Sequence, residues 1–127
     1  MEQYTITAFV TVFSSLLTFY LAFNVGTVRR KSDIGALEIS KDKKLLTAIR
    51  THMNMVENMV VFLPLLWLAT VYWPSNIAGI IGAIWFISRV IYSFAYMSNP
   101  KTRTIPFVVG VACIVITAIM GLYGIVF

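Results

Sequence analysis

A polar stretch near the middle of the chain carries side chains that could bind a charged ligand. Arg50, Asn54 and Glu57 recur at i, i+4 and i+7, so we predict that they share one face of a helix, with His52 on a different side. The residues around them are apolar. A charged side chain inside a membrane span costs at least about 2.5–3.5 kcal/mol, and such residues commonly mark a functional site.

A second polar face follows later in the chain. Arg89, Tyr92 and Tyr96 are spaced i, i+3 and i+7, again on one side of a predicted helix. Arg103 comes seven residues after Tyr96, past a break at Pro100. We predict that the two polar faces meet each other, or a neighbouring subunit, across a wet and basic cavity.

The balance of charge favours an anionic ligand for these faces. An ion pair between Glu57 and Arg89 that only joins the helices is the structural alternative, but it leaves most of the polar residues unused. The five arginines that stand against this one glutamate are Arg29, Arg30, Arg50, Arg89 and Arg103. The excess of about four positive charges suits carboxylates, which the planar arginine fork binds with two hydrogen bonds. Glu57 could accept an ammonium group of the same ligand.

Membrane-spanning helices must position these side chains. The chain has 127 residues, of which 59% are hydrophobic and only 12% are charged, with a mean hydropathy of +0.85. Soluble domains average about 45–50% apolar and about 25% charged residues, so the composition excludes disorder, a disulfide scaffold and a typical soluble globule. We predict an all-α integral membrane protein, one domain over residues 1–127, with four spans at about 6–28, 45–72, 77–97 and 105–127.

The basic residues predict the orientation of the spans. Apart from Arg89, the Lys and Arg residues lie in or beside the connections between spans one and two and between spans three and four. The positive-inside rule therefore places the polar faces toward the cytoplasm and both termini outside. These charges alternate with apolar runs, unlike the solvated surface of a nucleic-acid binder. Cys113 is the single cysteine, so we predict no internal disulfide and no zinc or haem site.

The motifs resemble those of the MAPEG family, the membrane-associated proteins in eicosanoid and glutathione metabolism. The family's Arg-x-x-x-Asn-x-x-Glu motif of helix two begins here at Arg50. An Arg-x-x-Tyr-x-x-x-Tyr pattern begins at Arg89, and Arg-x-x-Pro begins at Arg103. The resemblance covers the whole chain and implies a homotrimer with sites between neighbouring subunits. The short loops are similar to those of bacterial members, which implies the bacterial inner membrane, although a member from the endoplasmic reticulum would show the same orientation.

The resemblance implies a membrane glutathione S-transferase that uses glutathione as its cosubstrate and needs no metal. Arg103 would sit by the sulfur, because a neighbouring arginine lowers the pKa of a thiol from its free value near ~8.5. The thiolate would attack a lipophilic electrophile or reduce a hydroperoxide. The remaining site residues would bind glutathione or line its cavity: Arg29, Arg30, Arg50, His52, Asn54, Glu57, Arg89, Tyr92 and Tyr96.

Two other functions fit parts of the pattern. A non-catalytic lipid-binding or glutathione-binding protein of the same fold is the first, but the non-enzymatic member of the family lacks the arginine that corresponds to Arg103. A small multidrug-type transporter also has four short helices and a buried glutamate. It binds cations, which a cavity with five arginines would repel. Asn58, directly after Glu57, departs from the tyrosine that one member carries there.

Overall fold

The computed structural model describes residues 2–31 and 42–127, which form four long α-helices. They are α1 (Glu2–Lys31), α2 (Lys43–Tyr72), α3 (Ile77–Ser98) and α4 (Thr104–Val126), and a short 3-10 helix, Pro100–Arg103, precedes α4. All four helices are long and apolar enough to cross a membrane. At 1.5 Å per residue, even the 22 residues of α3 extend about 33 Å, which matches a hydrocarbon core of about 30 Å. The predicted four-helix membrane fold is confirmed.

Charged residues extend the first two helices beyond the predicted apolar spans. α1 runs from Glu2 to Lys31, because an acidic first turn and a basic last turn both complement the helix dipole. α2 begins at Lys43, and the side chain of Asp42 caps it by accepting a 2.9 Å hydrogen bond from the backbone N–H of Lys44. Of the loop predicted between these spans, residues 32–41 lie outside the described part of the chain.

The predicted turn between the second and third spans is tied to α4. α2 continues through Pro64 and ends at Tyr72. Trp73 then leaves the helix, its backbone N–H bonded to Ala69 O at 3.0 Å. The indole Nε1 of Trp73 donates to the backbone oxygen of Met120 at 2.9 Å. This bond joins the turn to α4 at the end of the bundle that carries no basic residue.

α2 and α3 form the centre of the bundle. Each of them contacts every other helix, whereas α1 and α4 do not contact each other within the described residues. The rings of Phe62 and Trp85 are fully buried between α2 and α3 and stack with their centres 4.2 Å apart. Because α2 and α3 also carry the two predicted polar faces, this packing brings those faces together.

Hydrogen bonds between side chains join α1 to α2 in the half of the bundle opposite the polar faces. The hydroxyl groups of Thr7 and Thr70 are 2.8 Å apart and fully buried. Gln3 Nε2 donates to the Thr70 backbone oxygen at 3.2 Å, and Trp67 Nε1 donates to Thr11 Oγ1 at 3.1 Å. In an apolar setting such bonds contribute roughly 0.6 kcal/mol each on average. They fix α1 against α2 far from the candidate site.

Close packing of α1 on α3 depends on Gly79. A Cβ atom built at Gly79 would lie 2.7 Å from Ile6 Cβ, which is held close to the α1 backbone and cannot move aside. We expect Gly79→Ala to destabilise the protein by about 1–3 kcal/mol, as overpacking does in other cores. The matched control is Gly26→Ala, because nothing lies within 4 Å of its Cβ and alanine favours a helix. Unfolding followed by circular dichroism in detergent measures both, and equal stabilities would contradict this packing.

Candidate functional site

A small pocket forms where α2, α3 and the 3-10 helix meet. The residues that line it are Arg50, Asn54, Tyr92, Tyr96 and Arg103. The fold thus brings together five of the predicted site residues from two distant parts of the sequence. The pocket measures about 50 Å³, whereas pockets that enclose a small ligand measure roughly 300–1,000 Å³. A ligand larger than a few atoms must therefore extend out of this pocket.

Arg89 lies directly behind the pocket and does not line it. Its side chain is 1% exposed, and its Nη2 donates a hydrogen bond to Asn54 Oδ1. Its guanidinium carbon is 4.3 Å from the ring centre of Tyr92. A charge-assisted hydrogen bond and a cation–π contact both stabilise a buried guanidinium. The contact between Arg89 and Asn54 confirms that the polar faces of α2 and α3 meet within one chain.

Glu57 is not the partner of Arg89 within this chain. The Glu57 side chain is exposed, and among residues 2–31 and 42–127 the side-chain acceptor of Arg89 is Asn54. Arg50, seven residues before Glu57, is exposed as well. The ion pair considered as a structural alternative therefore does not join these helices. The α2 face instead presents one positive and one negative side chain outward.

Aromatic rings hold Arg103 at the mouth of the pocket. The rings of Tyr92 and Tyr96 stack with centres 6.0 Å apart, and Phe107 of α4 lies 6.5 Å from Tyr92 on a tilted plane. The guanidinium carbon of Arg103 is 5.3 Å from the ring centre of Tyr96. The two tyrosine rings thus lie between the buried guanidinium of Arg89 and the exposed guanidinium of Arg103.

Besides Arg89 and Glu57, three more predicted site residues do not line this pocket. Arg29 and Arg30 belong to the last turn of α1, and His52 is half-buried on α2. None of the three is among the residues that line the pocket within one described subunit. Their predicted contacts with a ligand stay predictions, and they require a site that extends beyond this pocket.

Asn58 belongs to the site although sequence reasoning treated it only as a departure from a family pattern. Its Nδ2 donates to the backbone oxygen of Asn54 at 3.0 Å and to Asn54 Oδ1 at 3.3 Å. The signal that could have found it is the i, i+4 spacing, which makes these two side chains neighbours on a helix.

The position of Gly110 of α4 beside Arg89 was not predicted from the sequence. A Cβ built there would lie 3.5 Å from Ser88 Oγ and 3.9 Å from Arg89 Nη1, so the helix backbone of α4 passes close to the buried guanidinium. No property of an isolated glycine in an apolar run shows which side chain lies opposite it. This contact therefore became visible only in the folded chain.

Comparisons with known proteins match most of this chain. An uncharacterised protein of Synechocystis sp., sll1147, is 30% identical over 103 residues, which cover 81% of this chain and 75% of that protein. Microsomal glutathione S-transferase 2 of Bos taurus is 26% identical over 118 residues, 93% of this chain and 81% of the relative. Leukotriene C4 synthase of Cavia porcellus is 25% identical over 105 residues, 83% of this chain and 70% of the relative. Residues 7–123, which include every predicted site residue, match the MAPEG family, and the chain therefore belongs to that family.

Proposed function

We propose that this protein is a membrane glutathione S-transferase that holds glutathione as a thiolate and transfers it to lipophilic electrophiles. The observation that carries the proposal is the convergence of Arg50, Asn54, Tyr92, Tyr96 and Arg103 on one pocket. Two relatives with the names glutathione S-transferase and leukotriene C4 synthase support the same class of reaction. Reduction of lipid hydroperoxides is a second reaction open to the same thiolate.

The polar side chains suit the functional groups of glutathione. Arg50, at the exposed edge of the pocket, binds a carboxylate through its planar fork. Asn54 donates to the peptide backbone of the ligand, and Tyr92 and Tyr96 line the cavity and offer phenol groups as donors or acceptors. Glu57, exposed on the same helix, receives the ammonium group of the γ-glutamyl residue. Each group thereby meets a partner of complementary charge or hydrogen-bonding type.

Arg103 promotes ionisation of the glutathione thiol. Its guanidinium stabilises the sulfur anion once the thiol proton has left to water, because a neighbouring positive charge lowers a thiol pKa. The sulfur electron pair then forms a bond to the electrophilic carbon, and a leaving group departs or the adduct takes up a proton. With a hydroperoxide, the sulfur attacks oxygen, the O–O bond breaks and an alcohol leaves. A second glutathione then converts the oxidised sulfur into a disulfide and releases water.

The electrophile reaches the sulfur from the bilayer in this proposal. Residues that follow Arg103 present large apolar side chains outward, including Ile105 at 77% exposure and Val108 at 57%. A lipophilic compound dissolved among acyl chains can approach along such a surface without crossing water. Arg103 itself is exposed beside this surface, at the end of α4 that the basic residues mark. By the positive-inside rule, we place this end of the bundle at the cytoplasmic side of the membrane, in bacteria the inner membrane.

A homotrimer completes the site in this proposal. The pocket of one subunit is too small to enclose glutathione, and Arg50 and Glu57 are exposed on a bundle that also exposes many large apolar side chains. Charged side chains exposed to lipid are costly, so a neighbouring subunit that covers this face would relieve the cost. Around a three-fold axis every subunit meets its neighbour through the same pair of different surfaces. The neighbour then contributes Arg29 or Arg30 as a second carboxylate ligand.

Co-expression of two inactive variants tests this shared site. In this proposal one subunit supplies the pocket half of each site, and the end of α1 of its neighbour supplies the other half. Arg103→Ala damages the pocket half, and a double Arg29→Ala, Arg30→Ala variant damages the α1 half. In mixed trimers about a quarter of the sites combine two intact halves, so we expect activity to return to about that fraction. The control pair, Arg50→Ala with Arg103→Ala, damages the same half, so we expect this mixture to gain no activity over the two variants expressed separately. Equal activity in the two mixtures would contradict a site shared between subunits.

Purified protein in detergent tests the activity itself. We expect saturable, glutathione-dependent conjugation of a chlorodinitrobenzene, and reduction of cumene hydroperoxide where the second reaction operates. A non-catalytic protein of the same fold instead shows saturable glutathione binding without turnover. A cation transporter shows neither, and moves lipophilic cations across vesicle membranes without glutathione.

A further inference from the structure

The amide of Asn54 is held from behind by two donors. Arg89 Nη2 donates to Asn54 Oδ1, and Asn58 Nδ2 donates to the same oxygen at 3.3 Å. We propose that Arg89 and Asn58 are positioning residues that fix the Asn54 amide with Oδ1 away from the ligand. The site then presents only the Nδ2 group of Asn54, which requires a hydrogen-bond acceptor, an amide carbonyl or a carboxylate, at that point of the ligand.

The chemistry of the neighbours determines which way the amide points. A guanidinium has N–H donors and no acceptor, so the Asn54 atom that faces Arg89 must be the oxygen. Asn58 adds a second donor on the same side, and it is anchored by its 3.0 Å bond to the Asn54 backbone oxygen. A flipped amide would set its N–H groups against both donors. The flip would lose two hydrogen bonds at once, one of them charge-assisted.

The other end of the amide is left for the ligand. Asn54 lines the pocket and is half-buried, and its Nδ2 has no hydrogen-bond partner among residues 2–31 and 42–127. Arg50 and Arg103, which line the same pocket, bring guanidinium groups that can only donate. The amide orientation adds one more donor to this set. An ammonium group has no acceptor, so it is excluded beside Asn54 and must bind elsewhere.

Arg89 acts on the ligand only through these neighbours. It is 1% exposed, it does not line the pocket, and its guanidinium lies 4.3 Å from the Tyr92 ring centre. On the α4 side, the close approach at Gly110 leaves room for the side chain, since even an added Cβ would lie 3.9 Å from Nη1. The guanidinium that sets the Asn54 amide therefore contacts α2 and α3 and lies beside α4.

Two substitutions of Asn54 separate the two ends of its amide. Asn54→Asp keeps acceptors for Arg89 and Asn58 but removes the donor, whereas Asn54→Leu removes both. We expect Asn54→Asp to unfold at or above the temperature of the parent and Asn54→Leu to unfold at a clearly lower one. Both variants are expected to bind glutathione at least about tenfold more weakly, the loss that one good hydrogen bond gives. Parent-like glutathione affinity in Asn54→Asp would overturn the proposed role of Nδ2.

Asn58 provides the test of positioning, because it does not line the pocket. We expect Asn58→Leu to raise KM for glutathione about three- to tenfold with kcat within about twofold, since one neutral hydrogen bond is lost. Asn58→Gln keeps an amide donor and is expected to recover part of that KM. The matched control is Asn24→Leu, which removes a half-buried asparagine amide whose Nδ2 contacts Met97 Sδ at 3.5 Å, and which is expected to leave KM unchanged. An unchanged KM in Asn58→Leu would contradict the positioning role.

The ligand part of this inference rests on the proposed function, and the two can fail separately. If the parent protein binds no glutathione, the proposed function fails. The unfolding temperatures of Asn54→Asp and Asn54→Leu still test the amide orientation, because they need no ligand. If Asn54→Asp is as unstable as Asn54→Leu, the orientation is wrong whatever the protein binds.

Discussion

We expect Arg103→Ala to lower kcat/KM for glutathione conjugation by about 100-fold near neutral pH, with the Kd for glutathione changed by less than about fivefold. Loss of one donor to a developing or existing anion costs about 10²–10³ in rate in other enzymes. Arg103 lies exposed at the pocket mouth over the Tyr96 ring, so its removal leaves the core intact. Steady-state kinetics and calorimetry separate the two effects.

The pH dependence of the same variant gives an independent check. Without Arg103 the glutathione thiol returns toward its free pKa near ~8.5, so less thiolate is present at neutral pH. As the pH rises toward that value, both proteins hold the thiolate and the rate deficit of the variant shrinks. Arg103→Lys keeps the charge and is expected to retain an intermediate rate. A deficit that is constant with pH would contradict a role in ionising the thiol.

The second large effect is expected at Arg50. We expect Arg50→Ala to weaken glutathione binding about 10- to 100-fold, since hydrogen bonds to charged groups are worth about 1.5–3 kcal/mol. The charge-matched control is Lys101→Ala, because Lys101 is exposed at the same end of the bundle and does not line the pocket. If the basic end only attracted anions through its overall field, both substitutions would weaken binding equally. Calorimetry at two salt concentrations distinguishes a specific contact from that field.

Residue spacing was sufficient to predict the fold and half of the candidate site. Apolar runs of about 20 residues leave little choice but spanning helices, and all four were found. Helical periodicity then placed Asn54 and Arg89 on faces that the structure joins by a hydrogen bond. The hydrocarbon core of the bilayer penalises charged side chains that face the lipid, so polar side chains on two packed helices meet inside the bundle.

Spacing gives the face of a helix and not the depth of a side chain. Arg89 and Tyr92 share a face, yet Arg89 is one turn farther from Arg103 and lies behind the pocket. Glu57 shares a face with Asn54 but lies on its outward edge, where the described subunit leaves it exposed. Such differences depend on how closely α2, α3 and α4 approach one another. The volumes of the side chains packed between the three helices determine that approach.

Residue spacing within one sequence cannot show which side chains another copy of the chain would bring to the site. Arg29 and Arg30 were predicted to bind the ligand, but they end α1 and do not line the pocket of their own subunit. The interface that would bring them to a neighbour's pocket depends on the outer surfaces of complete bundles. Periodicity describes one helix at a time and carries no information about that assembly.

Spectroscopic detection of the bound thiolate tests the central claim most directly. Thiolate absorbs near ~240 nm, and thiol ionisation is what an adjacent arginine promotes. Titration of the detergent-purified protein with glutathione near neutral pH is predicted to give a saturable difference signal at that wavelength. The signal should be absent with S-methylglutathione, which has no ionisable thiol, and lost in Arg103→Ala. Saturable glutathione binding without any thiolate absorbance in the parent protein would contradict an enzyme that activates glutathione at this pocket.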